Sequence, residues 1–392
     1  MMKKIFILLF FNFSFLILMA IDYSNSIPAA ELTHKYISLL KGKRVGVVAN
    51  QTSMIKNTHL VDSLLSLEIN ITKIFCPEHG FRGKADAGAQ IDNSVDEKTM
   101  IPIISLYGNN KKPKAEQITD LDIIVFDVQD VGARFYTYIS TMHYVMEACA
   151  ENNIPFLILD RPNPTGFYVD GPILKKEFSS FVGMHEVPII HGMTIAEYAK
   201  MLNEEGWLKD GIKCNLSYVL CENYSHNSIY KLPVSPSPNL STMSAVFLYP
   251  SLCLFEGTVI SVGRGTDFPF QVIGNPALKS MNFSFVPKET IKGSIPLYFG
   301  KKCNGYDLRN ITEDSLVNLK QINLAWIIDL YNKYPEKEKF FNSFFNKLSG
   351  NSELKEQIKR GLSEKEIRKS WEPALAEFKL LRKKYLLYED FN

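Results

Sequence analysis

The stretch FCPEHGFRG, residues 75–83, follows the apolar run ITKIF and sets down Glu78, His79 and Arg82 between glycines. A carboxyl at such a point can give or take a proton, and a neighbouring imidazole can tune it or bind a hydroxyl. A guanidinium offers a fork that matches the two oxygens of a carboxylate. The pattern recurs along the first half. Asn50, Gln51 and Thr52 follow RVGVVA, and Tyr107 follows IPIISL. Asp127, Gln129 and Asp130 follow IIVF, with Arg134 and Tyr136 close behind, and Asp160, Arg161 and Asn163 follow FLIL. The second half adds FEGTVISVGRGTDFPF (255–270), where a glycine-flanked Arg264 with Asp267 and Phe268 suits an exposed anion-binding or sugar-stacking loop.

The elements that position these groups are short β-rich runs separated by helical patterns. RVGVVAN (44–50), ITKIFC, IPIISL, DIIVFD and IPFLIL read as strands, while THLVDSLLSL (58–67) and YISTMHYVMEACAENN (138–153) have helical spacing. Near-continuous apolar strands alternating with helices imply a parallel sheet covered on both faces. The expected fold is therefore α/β, a Rossmann-like doubly wound domain over residues 21–235. A smaller α+β domain over residues 236–392 should close the cleft. The segment PVSPSPNLST (233–242) reads as a linker or a loop crossing between the two. Near the end, GLSEKEI predicts a helix stop at Gly361 and a restart capped by Ser363. In a parallel sheet all strand C-termini lie on one edge, and ligands bind outside it. The polar sets should thus converge on one crevice.

Several chemistries are disfavoured. No GxGxxG follows the first strand, so a dinucleotide cofactor is not expected, and there is no GxxxxGK[ST] or GxSxG. No histidine–aspartate spacing suits a metal, so no metal or other cofactor is expected and a zinc-dependent deacetylase or amidase is disfavoured. A formal charge of +2 gives no case for a nucleic-acid partner. Lys3 and Lys4 precede an apolar run ending near Ala20, so residues 1–20 read as a signal peptide. The mature chain should then be exported, periplasmic or secreted, without stable membrane insertion. The six cysteines form no CxxC pair, and free buried thiols are expected. Carboxylates, arginines and aromatic rings in an exported protein suit a saccharide that carries its own negative charge. One protonated carboxyl can protonate a glycosidic oxygen, and a second group must deliver a nucleophile or activate water.

RVGVVANQTS, CPEHGFRGKADAGAQIDNSVDEKTMIPIISLYG, FDVQDVGARFYTYISTM, LDRPNPTG, VPIIHGMTIAEYA, PSPNLST, FEGTVISVGRGTDFPFQVIGNP and WEPALAEFKLLRKKYLLY together resemble the exo-β-N-acetylmuramidase (NamZ-like) family. The resemblance runs from about residue 41 to the C-terminus. It implies two domains with the active cleft between them. It also implies release of N-acetylmuramic acid from the non-reducing end of peptidoglycan-derived saccharides, with the catalytic acid on Glu78 of the PEHG motif. It does not supply the second catalytic group. Asp130 and Asp127 compete for that role, with Asp127 alternatively capping the turn that Gly132 completes, and Glu256 is a third candidate. The substrate's own acetamido group is a further possibility. Arg82, Arg134 and Arg264 are candidates to hold the lactyl carboxylate, Tyr136, Tyr138 and Phe268 to stack on a sugar face, and Asn50 and Asp267 to bind substrate. His143 and His191 read as structural. The rival class is a non-catalytic periplasmic muropeptide receptor, which would bind the saccharide and leave it whole.

Overall fold

The computed structural model describes residues 21–78, 80–82, 93–288 and 295–391. The expected signal peptide and His79 lie outside the described residues. The first half contains strands β1 (Val45–Ala49), β2 (Met54–Ile55), β3 (Thr58–His59), β4 (Ile71–Cys76), β5 (Ser94–Val95), β6 (Pro102–Ser105), β7 (Ile123–Asp127), β8 (Phe156–Leu159) and β9 (Leu216–Val219). Its helices are α1 (Thr33–Leu40), α2 (Leu60–Ser66), α3 (Ala115–Ile118), α4 (Tyr138–Glu151) and α5 (Ile195–Glu204).

Seven of these strands form one sheet in the order β5-β6-β4-β1-β7-β8-β9. Six are parallel, and β5 is an antiparallel edge strand on β6 that the sequence pattern did not reveal. The chain runs from β1 outward to β4 and β6. It then returns to β7 on the other side of β1 and continues to β8 and β9. That reversal is the topological switch of a doubly wound sheet, and it sets a crevice beyond the C-terminal ends of β1 and β7. The α/β expectation is met.

Period-two alternation explains how both faces are buried. Val45, Val47 and Ala49 of β1, with Ile123 and Val125 of β7, pack on the side of Tyr36, Leu40 and Leu64. Val48, Ile124, Phe126, Phe156 and Ile158 face the other way, onto Met142, Val145 and Met146 of α4. Helix α4 follows the spacing read from the sequence, and its apolar stripe is buried.

The second half carries α6 (Met243–Leu252), whose N-cap Thr242 accepts a hydrogen bond from the Ala245 amide. A smaller antiparallel sheet follows, from β10 (Val272–Asn275), β11 (Phe283–Phe285) and β12 (Cys303–Asp307), in the order β10-β12-β11. Five helices end the chain: α7 (Glu313–Leu319), α8 (Ala325–Lys333), α9 (Phe345–Ser349), α10 (Glu353–Lys359) and α11 (Glu364–Lys383). Helix α11 starts as predicted. Gly361 stops α10 at a φ of 76°, and Ser363 and Glu366 form a reciprocal capping box.

The core of this smaller domain is continuous with that of the first half. Phe247, Leu254, Phe270, Phe345 and Trp371 continue the cluster that begins on the α4 face of the large sheet. The last residues return to the first half, where the Tyr388 hydroxyl donates to Asp160 Oδ2 (2.6 Å) and the Leu387 amide to Glu197 Oε1 (2.9 Å). The Arg382 guanidinium donates to the Gly192 carbonyl, and the His226 amide donates to the Glu389 carbonyl at 2.9 Å. All six cysteines are free and buried, and no described helix is long and apolar enough to cross a membrane.

Candidate active site

A pocket of about 190 Å³ opens where the two halves meet at the C-terminal edge of the sheet. Glu78 and Tyr107 enter it from the ends of β4 and β6. Tyr136 comes from the loop that leaves β7, Tyr138 from the start of α4, and Tyr249, Glu256 and Arg264 from the second half.

The β7 loop is shaped by its own polar groups. Asp130 Oδ2 accepts the Gly132 amide at 2.6 Å and closes a turn. Gly132 adopts a φ of 76°, and a Cβ there would stand 2.3 Å from both Asn163 Oδ1 and Thr165 Oγ1, so only glycine fits. Asp130, not Asp127, therefore makes this turn. The Arg134 amide then bonds to the Ile189 carbonyl at 2.7 Å. With the chain held at both points, Phe135, Tyr136, Thr137 and Tyr138 face the cleft.

Glu78 is half-buried and hydrogen-bonds the Tyr107 hydroxyl. Burial, together with the charge and hydrogen bond of Glu78, pushes that phenol well above its ordinary range. The Tyr138 hydroxyl also feels the charge of Glu78. It is fixed by Asn50, whose Nδ2 donates to it at 2.9 Å, and it donates to the Pro236 carbonyl at 3.3 Å. Tyr136 donates to the same carbonyl at 2.7 Å. The proline-rich segment expected as a linker or a crossing loop thus crosses the site and adds Ser237 and Asn239 to its wall. Tyr138, Tyr136, Tyr249 and Phe270 form an edge-to-face chain with centroid separations of 4.8, 5.8 and 5.1 Å. This wall joins the halves and presents ring surface to a ligand.

The remaining candidates are not all brought together. Asn50 is buried and acts through Tyr138, its carboxamide oxygen accepting the Thr52 amide at 2.9 Å. Asp127 is fully buried in a two-armed ion pair with Arg161, at 2.6 and 2.9 Å, so it does not reach the cleft. Arg134 is also fully buried and donates to the carbonyls of Pro172, Val187 and Leu348 at 2.7–2.9 Å. Burial without a carboxylate beside it lowers its pKa to about 9. Its charge serves the loop and not a ligand. Arg82 grips Asp96 at 2.9 and 2.8 Å and approaches Asp62, outside the pocket lining.

Asp130 does not line the pocket either, although its charge acts on both Tyr136 and Tyr138. Burial raises its carboxyl to about 7, and Oδ1 has no hydrogen-bond partner among the described residues. Asp267 and Phe268 are exposed on the Arg264 loop and lie outside the lining. His143 and His191 are buried structural groups, His143 bonding Glu147 and His185 at 2.9 Å. Glu256 and Arg264 remain in the pocket, paired at 2.7 Å.

Sequence reading gave no role to Tyr107, although it stood at a strand end. It missed Tyr249 and Phe270, which sit inside apolar runs and carry no polar signal. Phe181 and Val182, on the loop after Lys176–Phe178, were equally silent.

Comparison with known proteins settles the lineage of this arrangement. The N-terminal model of the exo-beta-N-acetylmuramidase NamZ family matches residues 45–244, and its C-terminal model matches residues 247–388. The chain belongs to the NamZ exo-β-N-acetylmuramidase family. It is accordingly a glycoside hydrolase. It is 41% identical over 374 residues to the peptidoglycan beta-N-acetylmuramidase NamZ of Bacillus subtilis, covering 90% of this chain and 89% of that one. Two crystal structures of DUF1343 family proteins from Bacteroides fragilis share the fold of this NamZ-family chain. One has a TM-score of 0.88 at 44% identity, the other 0.76 at 26%, each covering 94% of this chain and 100% of its own.

Proposed function

We propose that this protein is an exported exo-β-N-acetylmuramidase that releases N-acetylmuramic acid from the non-reducing end of peptidoglycan fragments, in cell-wall turnover or recycling. Glu78 is the general acid/base. The observation that carries this reading is the placement of Glu78 in a small pocket at the strand edge, hydrogen-bonded to Tyr107 and covered by the second half of the chain. At about 190 Å³ the pocket is smaller than the roughly 300–1,000 Å³ of common ligand sites, which suits one terminal sugar better than a threaded chain. Export rests on the basic and apolar N-terminal residues alone.

The Tyr136–Tyr138–Tyr249 wall gives the sugar ring a surface, and Tyr107 and Tyr138 hold hydroxyls near the acid. Glu78 gives its proton to the glycosidic oxygen as the bond to the aglycone breaks; the anomeric carbon takes hydroxide from water, directly or after bonding to the sugar's own acetamido oxygen, and the proton that water gives up replaces the one Glu78 lost. In the experiment, a muramyl disaccharide is incubated with wild type and Glu78→Gln, and the products are weighed by mass spectrometry. Wild type should yield free N-acetylmuramic acid, and the folded variant should be slower by about 10²–10⁴-fold. Wild-type turnover in Glu78→Gln removes Glu78 from the role. Binding of the disaccharide without cleavage would favour a receptor.

A further inference from the structure

We propose that Arg264 is the specificity-determining residue of this pocket, its guanidinium receiving the carboxylate of the lactyl ether that distinguishes muramic acid from glucosamine. The inference rests on the muramidase reading and adds to it the group that selects the sugar.

Three arginines were candidates for this contact, and the fold removes two. Nη1 and Nη2 of the fully buried Arg134 donate to backbone carbonyls inside the core, and Arg82 is gripped by Asp96 outside the pocket. Arg264 is the one cation among the described residues that line the pocket. The same lining holds two carboxyl groups, Glu78 and Glu256. An anionic sugar entering there meets like charge unless a cation faces it, so the guanidinium is what makes the pocket compatible with a muramic acid.

The side chain is also held ready. Nε and Nη2 both contact a single oxygen, Glu256 Oε1, at 2.8 and 2.7 Å. The guanidinium lies 5.2 Å from the centroid of the buried Phe270 ring. Among the described residues Nη1 has no hydrogen-bond partner. One edge of the fork is thus fixed by Glu256, and the other is left for a ligand oxygen. The backbone beneath is equally constrained. Gly265 adopts a φ of 80°, and a Cβ there would come within 2.3 Å of the Lys288 carbonyl oxygen. A donor held in place before binding loses little freedom when the carboxylate arrives.

The test is calorimetric and does not depend on turnover. N-Acetylmuramic acid, its lactyl carboxamide and N-acetylglucosamine are titrated into wild type, Arg264→Met and Arg264→Lys, with circular dichroism confirming the fold. Wild type should favour the acid over its amide by on the order of ten- to a hundred-fold, the range of a charge-assisted contact. That preference should collapse toward one in Arg264→Met and return in part in Arg264→Lys. In wild type it should also shrink as salt rises from about 0.05 to 0.5 M. Equal affinity of wild type for acid and amide overturns the proposal, and so does an undiminished preference in Arg264→Met. If Arg264→Met fails to fold, the lysine variant and the salt series decide the matter. Cleavage of a muramyl disaccharide by wild type, measured in parallel, reports on the muramidase reading by itself.

Discussion

Asp130→Asn should change sign in its effect on stability between acidic and neutral pH. Burial holds the Asp130 carboxyl at about 7 in the fold against the usual 3.8, opposed by the Gly132 and Val131 amides. An unfolded chain releases this proton near 3.8, the folded chain near 7. The wild-type contribution is therefore greatest below 3.8, declines as pH rises from 3.8 to 7, and is level above 7. A difference of roughly three units corresponds to about 4 kcal/mol, at about 1.36 kcal/mol per unit. Asparagine keeps an oxygen for the Gly132 amide and carries no charge. Its NH₂ occupies the place of Oδ1, which has no partner among the described residues, and a buried donor left so costs about 1–3 kcal/mol. Near pH 8 the variant should be more stable than wild type by about 1–3 kcal/mol, and at or below pH 4 less stable by a similar amount. Urea unfolding followed by tryptophan fluorescence at half-unit steps from pH 4 to 8 reads the difference. A stability difference that does not vary with pH would refute the reasoning, because it would mean that Asp130 titrates alike in both states.

Further expectations follow from single contacts. Arg134→Met should lower stability by about 3 kcal/mol in urea, because the Pro172 and Leu348 carbonyls lose their donor and the Val187 carbonyl keeps only the Leu174 amide, while KM of the surviving folded enzyme is unmoved. Gly257→Ala should cost about 3 kcal/mol, since the new Cβ would stand 2.4 Å from Phe345 Cα and backbone there cannot step aside; a melting temperature matching wild type would count against it. Tyr388→Phe should remove the 2.6 Å bond to Asp160 and lower stability by about 1–3 kcal/mol, with kcat at 25 °C retained.

The large sheet was legible because its signal is strong and local. Val45, Val47 and Val48 leave no polar position in β1, which only a strand buried on both faces tolerates. The convergence of Asn50, Glu78, Tyr107 and Asp130 on one edge followed from parallel topology alone. What could not be read was which of these groups face the cleft. Asp127 and Arg161 lie on neighbouring strand ends and cancel each other 2.6 Å apart, a fact of register and not of composition. Arg134 and Arg264 look alike in sequence, each beside a glycine or one residue from it. One is swallowed by carbonyls from three distant segments, and the other is braced by Glu256 eight residues before it. The aromatic wall was half visible in RFYTY and half hidden in the apolar runs of Tyr249 and Phe270.

The return of the final residues to the first half has a consequence for when this enzyme comes into being. Asp160 waits for Tyr388, Glu197 for the amide of Leu387, and His226 for the carbonyl of Glu389. A ribosome that has finished the first half has yet to make the segment that bonds to it. Until that segment is made, the nascent sheet lacks the bond that Tyr388 gives to Asp160, just past the C-terminal end of β8. The first half is thus completed by residues 190 and 228 positions further along the chain, so its folding is tied to that of the second.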